Sequence, residues 1–448
     1  MSFDIGNFDF GNFGTVPPPV HAAPEVAEPV RARINPLAII GRELAPGERG
    51  WSLRGAYALE LAPAGDQLET MLIHGPSGTG KTFLLFILFE TVIMLTGEPI
   101  FWVDRKGEWH GFGYPKHPLL DRGEWRYLEN TFPHFLGAFC AVGVRERGRV
   151  PSSIYDAFVD AFVKFFSPDR VRVFFPPYAN LTEDDLRRIS RVTGYRCEFF
   201  RPSWKFLTPA AAANLFNLNI SAQYMDTYER AFFEARRDAE NYQEFVARLA
   251  QVAQRERRGG SSPLSAVVHL LASPECYNWF SYEGDNVLTE AYGEPGSVYV
   301  LTFVGIPQAP KNAAWVELWV ESAIHAARAV GRPCTVAVDD VPWFRTLGGD
   351  IAPSLEKLVH IESRVPGVGM RKIVVVQTPR MLPPSLRPAS RCYRYVFSSA
   401  PSFGFHMRRA PQYEAEVHDY MMDTVARLAL RPPLNRKLPF PREAFAFE

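Results

Sequence analysis

The chain has 448 residues, 47% hydrophobic and 22% charged, which is enough to bury a large core in one big domain with an insertion or in several smaller ones. Lysine plus arginine equals aspartate plus glutamate at 49 each, so no global basic field marks a nucleic-acid partner and any such contact has to be local. The five cysteines, Cys140, Cys197, Cys276, Cys334 and Cys392, lie far apart without a C-x-x-C pair; this argues against a zinc site or a disulfide framework and for structural thiols in a reducing compartment.

Residues 1–45 read as a flexible Phe/Pro-rich N-terminal tail. Phe3, Phe8, Phe10 and Phe13 are spaced by Gly, Asn and Asp, and Pro17-Pro18-Pro19 and the stretch from Pro24 to Pro29 follow. Such a segment buries too little to order itself, while its spaced aromatics suit docking on a neighbouring subunit or protein partner. Met1 to Phe13 carries Asp4 and Asp9 and lacks a basic start with an apolar centre, so no signal peptide is expected.

Residues 46–150 read as the first part of an α/β core. The stretch Gly75-Pro76-Ser77-Gly78-Thr79-Gly80-Lys81-Thr82 lies between the apolar runs Met71-Leu72-Ile73 and Phe83 to Phe89. This is a phosphate-binding loop in its required setting, a strand feeding a glycine-rich turn from which a helix leaves. The loop from Gly75 to Phe83 is expected to turn its backbone N–H groups, which Pro76 alone lacks, towards the phosphates, and the helix N-terminus adds its positive end. Lys81 is expected to reach the β/γ oxygens and Thr82 to hold Mg²⁺, so the motif points to ATP or another nucleoside triphosphate. The run Phe83 to Leu95 is too short for a membrane span and contains Glu90, and reads as the buried first helix of the nucleotide fold. A β-prone run, Ile100 to Val103, then ends at Asp104.

Residues 151–290 read as a mainly helical insertion. Ile154, Phe158, Phe162 and Phe165 recur at spacings of four and three, Tyr228 to Arg258 is charged and amphipathic, and Thr208-Pro209 has the form of a helix cap and first turn. Residues 291–412 return to strand and helix: Ser297 to Phe303, a helix from about Ala313 to Ala329, Thr335 to Val338 ending at Asp339-Asp340, and Ile373 to Val376 ending at Gln377. Continuous apolar strands separated by helices imply a mainly parallel sheet covered on both faces, with chemistry at the carboxyl ends of its strands. Residues 413–448 are expected as a C-terminal helix and tail. In this setting Asp339 is expected to hold Mg²⁺, and Asp340 to orient and deprotonate the attacking water.

As an ordered set the motifs resemble the HerA/FtsK superfamily of hexameric DNA-pumping ATPases, on the HerA side, over roughly residues 70–405. The carriers are the phosphate loop, Asp104-Arg105-Lys106-Gly107-Glu108, Glu294-Pro295-Gly296, the acidic strand end, Arg364-Val365-Pro366-Gly367-Val368-Gly369 and the strand ending in Gln377-Thr378-Pro379-Arg380. The resemblance implies a RecA-like P-loop NTPase core, with Gln377 as γ-phosphate sensor and Arg364 as the arginine finger given to the neighbouring subunit; Arg371 is its rival. Glu108 is the alternative base. The family's acidic strand end is Asp-Glu or Glu-Glu, so Asp340 is one methylene short, and no room precedes the core for the β-barrel of cellular members. The shortened front resembles motors of viral genome packaging or of conjugative and mobile-element DNA transfer.

Double-stranded DNA would be gripped without sequence preference at its phosphates, with Arg345 and the run Arg255, Arg257 and Arg258 as candidates. A P-loop ATPase that energises protein secretion, pilus or filamentous-phage assembly is the alternative, favoured by the neutral net charge. A nucleotide kinase lacks a compact acceptor-binding segment. The expected localisation is cytoplasmic, or transiently virion-associated, without a transmembrane segment.

Overall fold

A computed structural model describes residues 35–47, 50–61, 70–114, 161, 164–218, 222–255, 263–280, 286–344, 369–382, 393–398 and 414–431, and beyond them 433–435, 437, 438, 440, 441 and 444. In chain order the described elements are β1 (Ile39–Gly47), β2 (Gly50–Ala58), β3 (Thr70–His74), α1 (Lys81–Thr96), β4 (Ile100–Asp104), β5 (Val171–Phe175), α2 (Glu183–Thr193) and β6 (Arg196–Phe199). The helices α3 (Pro209–Leu215), α4 (Ala222–Arg237), α5 (Tyr242–Arg255), α6 (Pro263–Leu271) and α7 (Pro274–Phe280) follow. The chain continues as β7 (Val298–Thr302), α8 (Pro310–Val330), β8 (Cys334–Val338), β9 (Met370–Val376), β10 (Tyr395–Ser398), β11 (Glu414–Asp419) and β12 (Thr424–Leu430).

Among the described residues twelve strands form one sheet in the order β2-β1-β12-β11-β10-β3-β9-β8-β4-β7-β5-β6. From β10 to β6 every neighbouring pair is parallel, and the pairs from β2 to β10 are antiparallel. The strand that feeds the phosphate loop, β3, is separated from the acid-ended strand β8 by β9. This α/β arrangement is a RecA-like P-loop NTPase core.

The continuous apolar runs follow from burial on both faces, because successive side chains of a strand point to opposite sides. In β4, Ile100 and Trp102 pack with α1, whereas Phe101 and Val103 pack with Trp319 of α8. In β9, Ile373 and Val375 face the first layer and Val374 and Val376 the second. Thr208 accepts from Ala211 N at 3.0 Å with Pro209 in the first turn, so α3 starts as the Thr-Pro pair implies. Burial pushes the thiols of Cys197 and Cys334 up to about 12 and that of Cys276 to about 11, as expected of structural cysteines.

Three boundaries differ from the sequence expectations. The tail read as 1–45 gives up its last residues to β1, which pairs with β12 from Gly41↔Leu430 to Leu44↔Arg427. The insertion read as 151–290 contains β5, α2 and β6, which extend the parallel sheet; its helical part begins at Pro209. Val171-Arg172-Val173-Phe174-Phe175 is a fully buried run of β-branched and aromatic residues. Arg172 is accommodated there by Glu198, Glu290 and Tyr299. The C-terminal segment, expected as a helix, forms β11 and β12 instead, and β11 alternates half-buried and buried residues with the period of two that a strand requires.

Candidate active site

Register brings the functional residues to one edge of the sheet. His74 pairs with Val376, so Gly75 and Gln377 are level, and Gly75 N donates to Gln377 O at 3.2 Å. Val338 pairs with both Val374 and Val103, which sets Asp339 beside Asp104 and one strand from Gln377. The polar residues that terminate the apolar strands therefore converge, as the carboxyl edge of a parallel sheet allows.

The phosphate loop leaves β3 and turns into α1 through Gly78 at φ 82° and Gly80 at φ 90°. Both are left-handed values that a Cβ disfavours. Gly80 is the N-cap of α1 and offers no side-chain cap, which leaves the first-turn N–H groups for an anion. Lys81 Nζ donates to Gly75 O at 2.7 Å and Pro76 O at 2.8 Å, folded across its own loop. Burial, followed by the nearby Lys106 charge, lowers its pKa from the ordinary lysine value.

Behind Lys81 lie three carboxylates, Asp104, Glu108 and Asp339, each offering an oxygen within 4.8 Å of the others. Asp104 is fully buried and accepts from Gly107 N at 2.7 Å, Glu108 N at 3.1 Å and Lys106 N at 3.2 Å, which fixes the turn after β4. Burial, then the Glu108 charge, raises its pKa to about 7 despite those three donors. Asp339 is buried to 2% exposure and is raised well above the carboxylate range by burial and then by Glu108. Among the described residues its Oδ2 has no hydrogen-bond partner. Glu108 accepts the Thr82 hydroxyl on Oε2 and meets Lys437 Nζ at 3.1 Å on Oε1.

A buried carboxylate oxygen without a partner, inside a trio of acids and beside a threonine hydroxyl, is what an oxygen-seeking divalent cation satisfies. The residues present thus fit Mg²⁺, with Thr82 and Asp339 as the expected holders and Asp104 and Glu108 added by the structure.

Asp340 is not one of this trio. It takes the left-handed conformation at φ 54°, ψ 44°, is 5% exposed, and is paired with Arg105 at 2.5 Å and Lys106 at 3.8 Å. The Arg105 guanidinium lies over the Trp343 ring at 5.1 Å. Both cations lie on Asp340 Oδ2, so the geometry does not favour the water-activating role expected of Asp340. Glu108, the alternative, stands at Thr82 instead. Arg371 is corrected as a candidate finger: it is 0% exposed and pairs with Glu98 at 3.1 Å at the opposite end of β9. Arg255 ends α5, exposed, 3.4 Å from Glu234. Arg364, Arg345, Arg257 and Arg258 lie outside the described residues. Lys437 was not singled out in the sequence, since no local spacing links it to Glu108, 329 positions away.

No protein-family model matches the chain, and no curated protein matches it. Solved structures with similar backbones include VirB4 of Thermoanaerobacter pseudethanolicus, at 12% identity over 88% of this chain and 96% of that one, TM-score 0.48. The plasmid coupling protein TrwB in complex with ADP and Mg²⁺ aligns at 12% identity over 83% of this chain and 87% of that one, TM-score 0.42. The genome packaging NTPase B204 from Sulfolobus turreted icosahedral virus 2 aligns at 13% identity over 37% of this chain and 79% of that one, TM-score 0.22. The strand order and the phosphate loop, rather than these likenesses, carry the fold class. Among the described residues no helix is long and apolar enough to cross a membrane.

Proposed function

We propose that the chain is an ATPase that drives double-stranded DNA as a hexameric ring, in viral genome packaging or in DNA transfer by a conjugative or other mobile element. The observation that most supports the hydrolytic part is the convergence of Thr82, Glu108, Asp339 and Gln377 beside the phosphate loop, with β9 between β3 and β8. No acceptor has to be held there beyond a water molecule.

In this reading the loop N–H groups and the α1 N-terminus hold the phosphates, and Lys81 leaves its loop carbonyls for the β/γ oxygens. Thr82 and Asp339 hold Mg²⁺, which neutralises charge on the phosphates when bound. Glu108 takes the proton of the attacking water and Gln377 contacts the γ-phosphate or that water. Asp340 anchors Arg105 and Lys106. Arg364 completes the site from the neighbouring subunit, where a finger is worth on the order of 10³ to 10⁵ in rate. The DNA step rests on the motif resemblance, with Arg345, Arg255, Arg257 and Arg258 as phosphate contacts.

The neutral net charge favours a second reading, an ATPase that moves or assembles protein. One experiment separates the two: ATP turnover with and without linear duplex at low and high salt, together with mass in solution. A DNA motor accelerates with duplex, loses the stimulation at high salt and sediments as a ring. Indifference to duplex sinks the translocase, and full activity in an isolated monomer sinks the ring.

A further inference from the structure

After β12 the chain does not leave the molecule. Arg431, 0% exposed, donates to Ile39 O at 2.9 Å and pairs with Glu90 of α1 at 2.7 Å. Asn435, also 0% exposed, donates from its backbone and side-chain nitrogens to Glu90 Oε1 at 2.8 and 3.0 Å and accepts from Gly113 N at 2.7 Å. Leu438 N then donates to His110 O at 2.9 Å, and the Phe440 ring lies edge-on to Trp109 with centroids 5.5 Å apart. These anchors pin a C-terminal strap across the turn that carries Glu108.

Between the anchors at Asn435 and Leu438, the strap delivers Lys437 to Glu108 Oε1 at 3.1 Å. Its side chain is 48% exposed, and an ion pair that wet adds little to stability. The anchors already hold the strap, so the lysine is not needed for that. Its effect is local: one oxygen of Glu108 is occupied, and the other is left on the Thr82 hydroxyl. Lys81 is meanwhile committed to its own loop, and Lys106 to Asp340. Among the described residues, the cation bonded to Glu108 is therefore supplied by the strap.

We propose that Lys437 is a positioning residue of the triphosphate site, which aims the Glu108 carboxylate at Thr82 and at the place of the metal and the attacking water. The proposal rests on the hydrolytic reading above for its kinetic consequence, but not for its effect on cation binding. A fixed ammonium beside a carboxylate trio opposes a divalent cation through like charge. It also removes the rotamer freedom that Glu108 would otherwise lose in the transition state.

The test uses the full chain with Lys437→Ala and Lys437→Arg, after thermal melts show both folded. Mn²⁺ is titrated into nucleotide-free protein and followed by its electron paramagnetic resonance signal, and ATP turnover is measured separately. Lys437→Ala should bind Mn²⁺ about threefold to tenfold more tightly. Its kcat should fall about tenfold with KM nearly unchanged, and Lys437→Arg should stay near wild type in both. Unchanged Mn²⁺ affinity in Lys437→Ala overturns the proposal whether or not the wild-type protein hydrolyses ATP. A faster kcat overturns it too, because the strap would then restrain the site. Wild-type protein inert towards ATP sinks the ATPase reading instead, and the Mn²⁺ titration still decides the role of Lys437.

Discussion

Glu90 and Arg431 are bonded to each other at 2.7 Å, both with 0% exposure, although they lie 341 residues apart. The pair joins the middle of α1 to the chain leaving β12, and Arg431 also holds β1 through Ile39 O. The helix that follows the phosphate loop is thereby fastened to the antiparallel end of the sheet.

Breaking this pair from one side leaves an uncompensated buried charge, which costs about 3–5 kcal/mol. Arg431→Met should lower the urea midpoint accordingly with the slope unchanged. The double variant Glu90→Met, Arg431→Met should recover a large part of the loss, because no lone charge remains. A double variant no better than the single one would mean that the Arg431 bonds to Ile39 O and the Glu90 bonds to Asn435, rather than the ion pair, carry the effect.

The two acids after the loop predict different kinetics. Glu108→Gln keeps the size of the side chain and removes the base, so turnover should fall on the order of 10² to 10⁴ while a fluorescent ATP analogue still binds. Asp340→Asn should fall less, because its contact with Arg105 and Lys106 supports the site without touching the trio. Lys81→Ala should abolish turnover. The reverse ranking, with Asp340→Asn dead and Glu108→Gln active, would return the base to Asp340.

The parts of the fold visible in the sequence were those with strong local physics. Strands β3, β4, β8 and β9 are covered on both faces, so they read as apolar runs, in β9 from Ile373 to Val376, whose ends mark the site. The loop needs its glycines and lysine at fixed spacing, and Thr208-Pro209 announces α3. Strand β11 instead carries Glu414, Glu416 and His418 on a half-buried face, and the buried Arg427 of β12 pairs with Glu414 across the ladder. Alternation interrupted by charge resembles an amphipathic tail until the pairing strand is known. The bond of Lys437 to Glu108 and the turning of Asp340 towards Arg105 are set by tertiary contact, which leaves no periodicity to read. The short side chain of Asp340 is the one feature of the sequence that sets it apart from the family's usual acid.

Metal-free stability should depend on pH through the acid trio. Asp104 is raised to about 7 in the folded chain by burial and by Glu108, against about 3.9 when unfolded. The native state therefore binds a proton that the unfolded chain has already lost, and stability falls as pH rises from about 4 to about 7. Asp339 shifts in the same direction and steepens the decline. A divalent cation favours the ionised carboxylates, so saturating Mg²⁺ should flatten the curve. Melting temperature against pH in chelator and in Mg²⁺ measures this directly; parallel curves would remove the trio from metal binding.

Gly107 tests the seat of the strap from the opposite side. It adopts φ +75°, and a Cβ there would stand 2.8 Å from Phe440 Cβ and 3.0 Å from its ring carbons. Gly107→Ala therefore combines a left-handed backbone penalty of about 1–2 kcal/mol with a clash that only displacement of Phe440 relieves. Gly107 N also bonds Asp104 Oδ2 at 2.7 Å, so the strain reaches the turn that presents Glu108. The variant should melt lower, and its C-terminal segment should be cut faster by a nonspecific protease than that of the wild-type chain. Phe440→Gly removes both the Cβ and the ring that the Gly107→Ala methyl would meet, so adding it to Gly107→Ala should recover part of the melting temperature while leaving the strap susceptible. Wild-type proteolysis rates in Gly107→Ala would show that the ring shifts without loosening the strap.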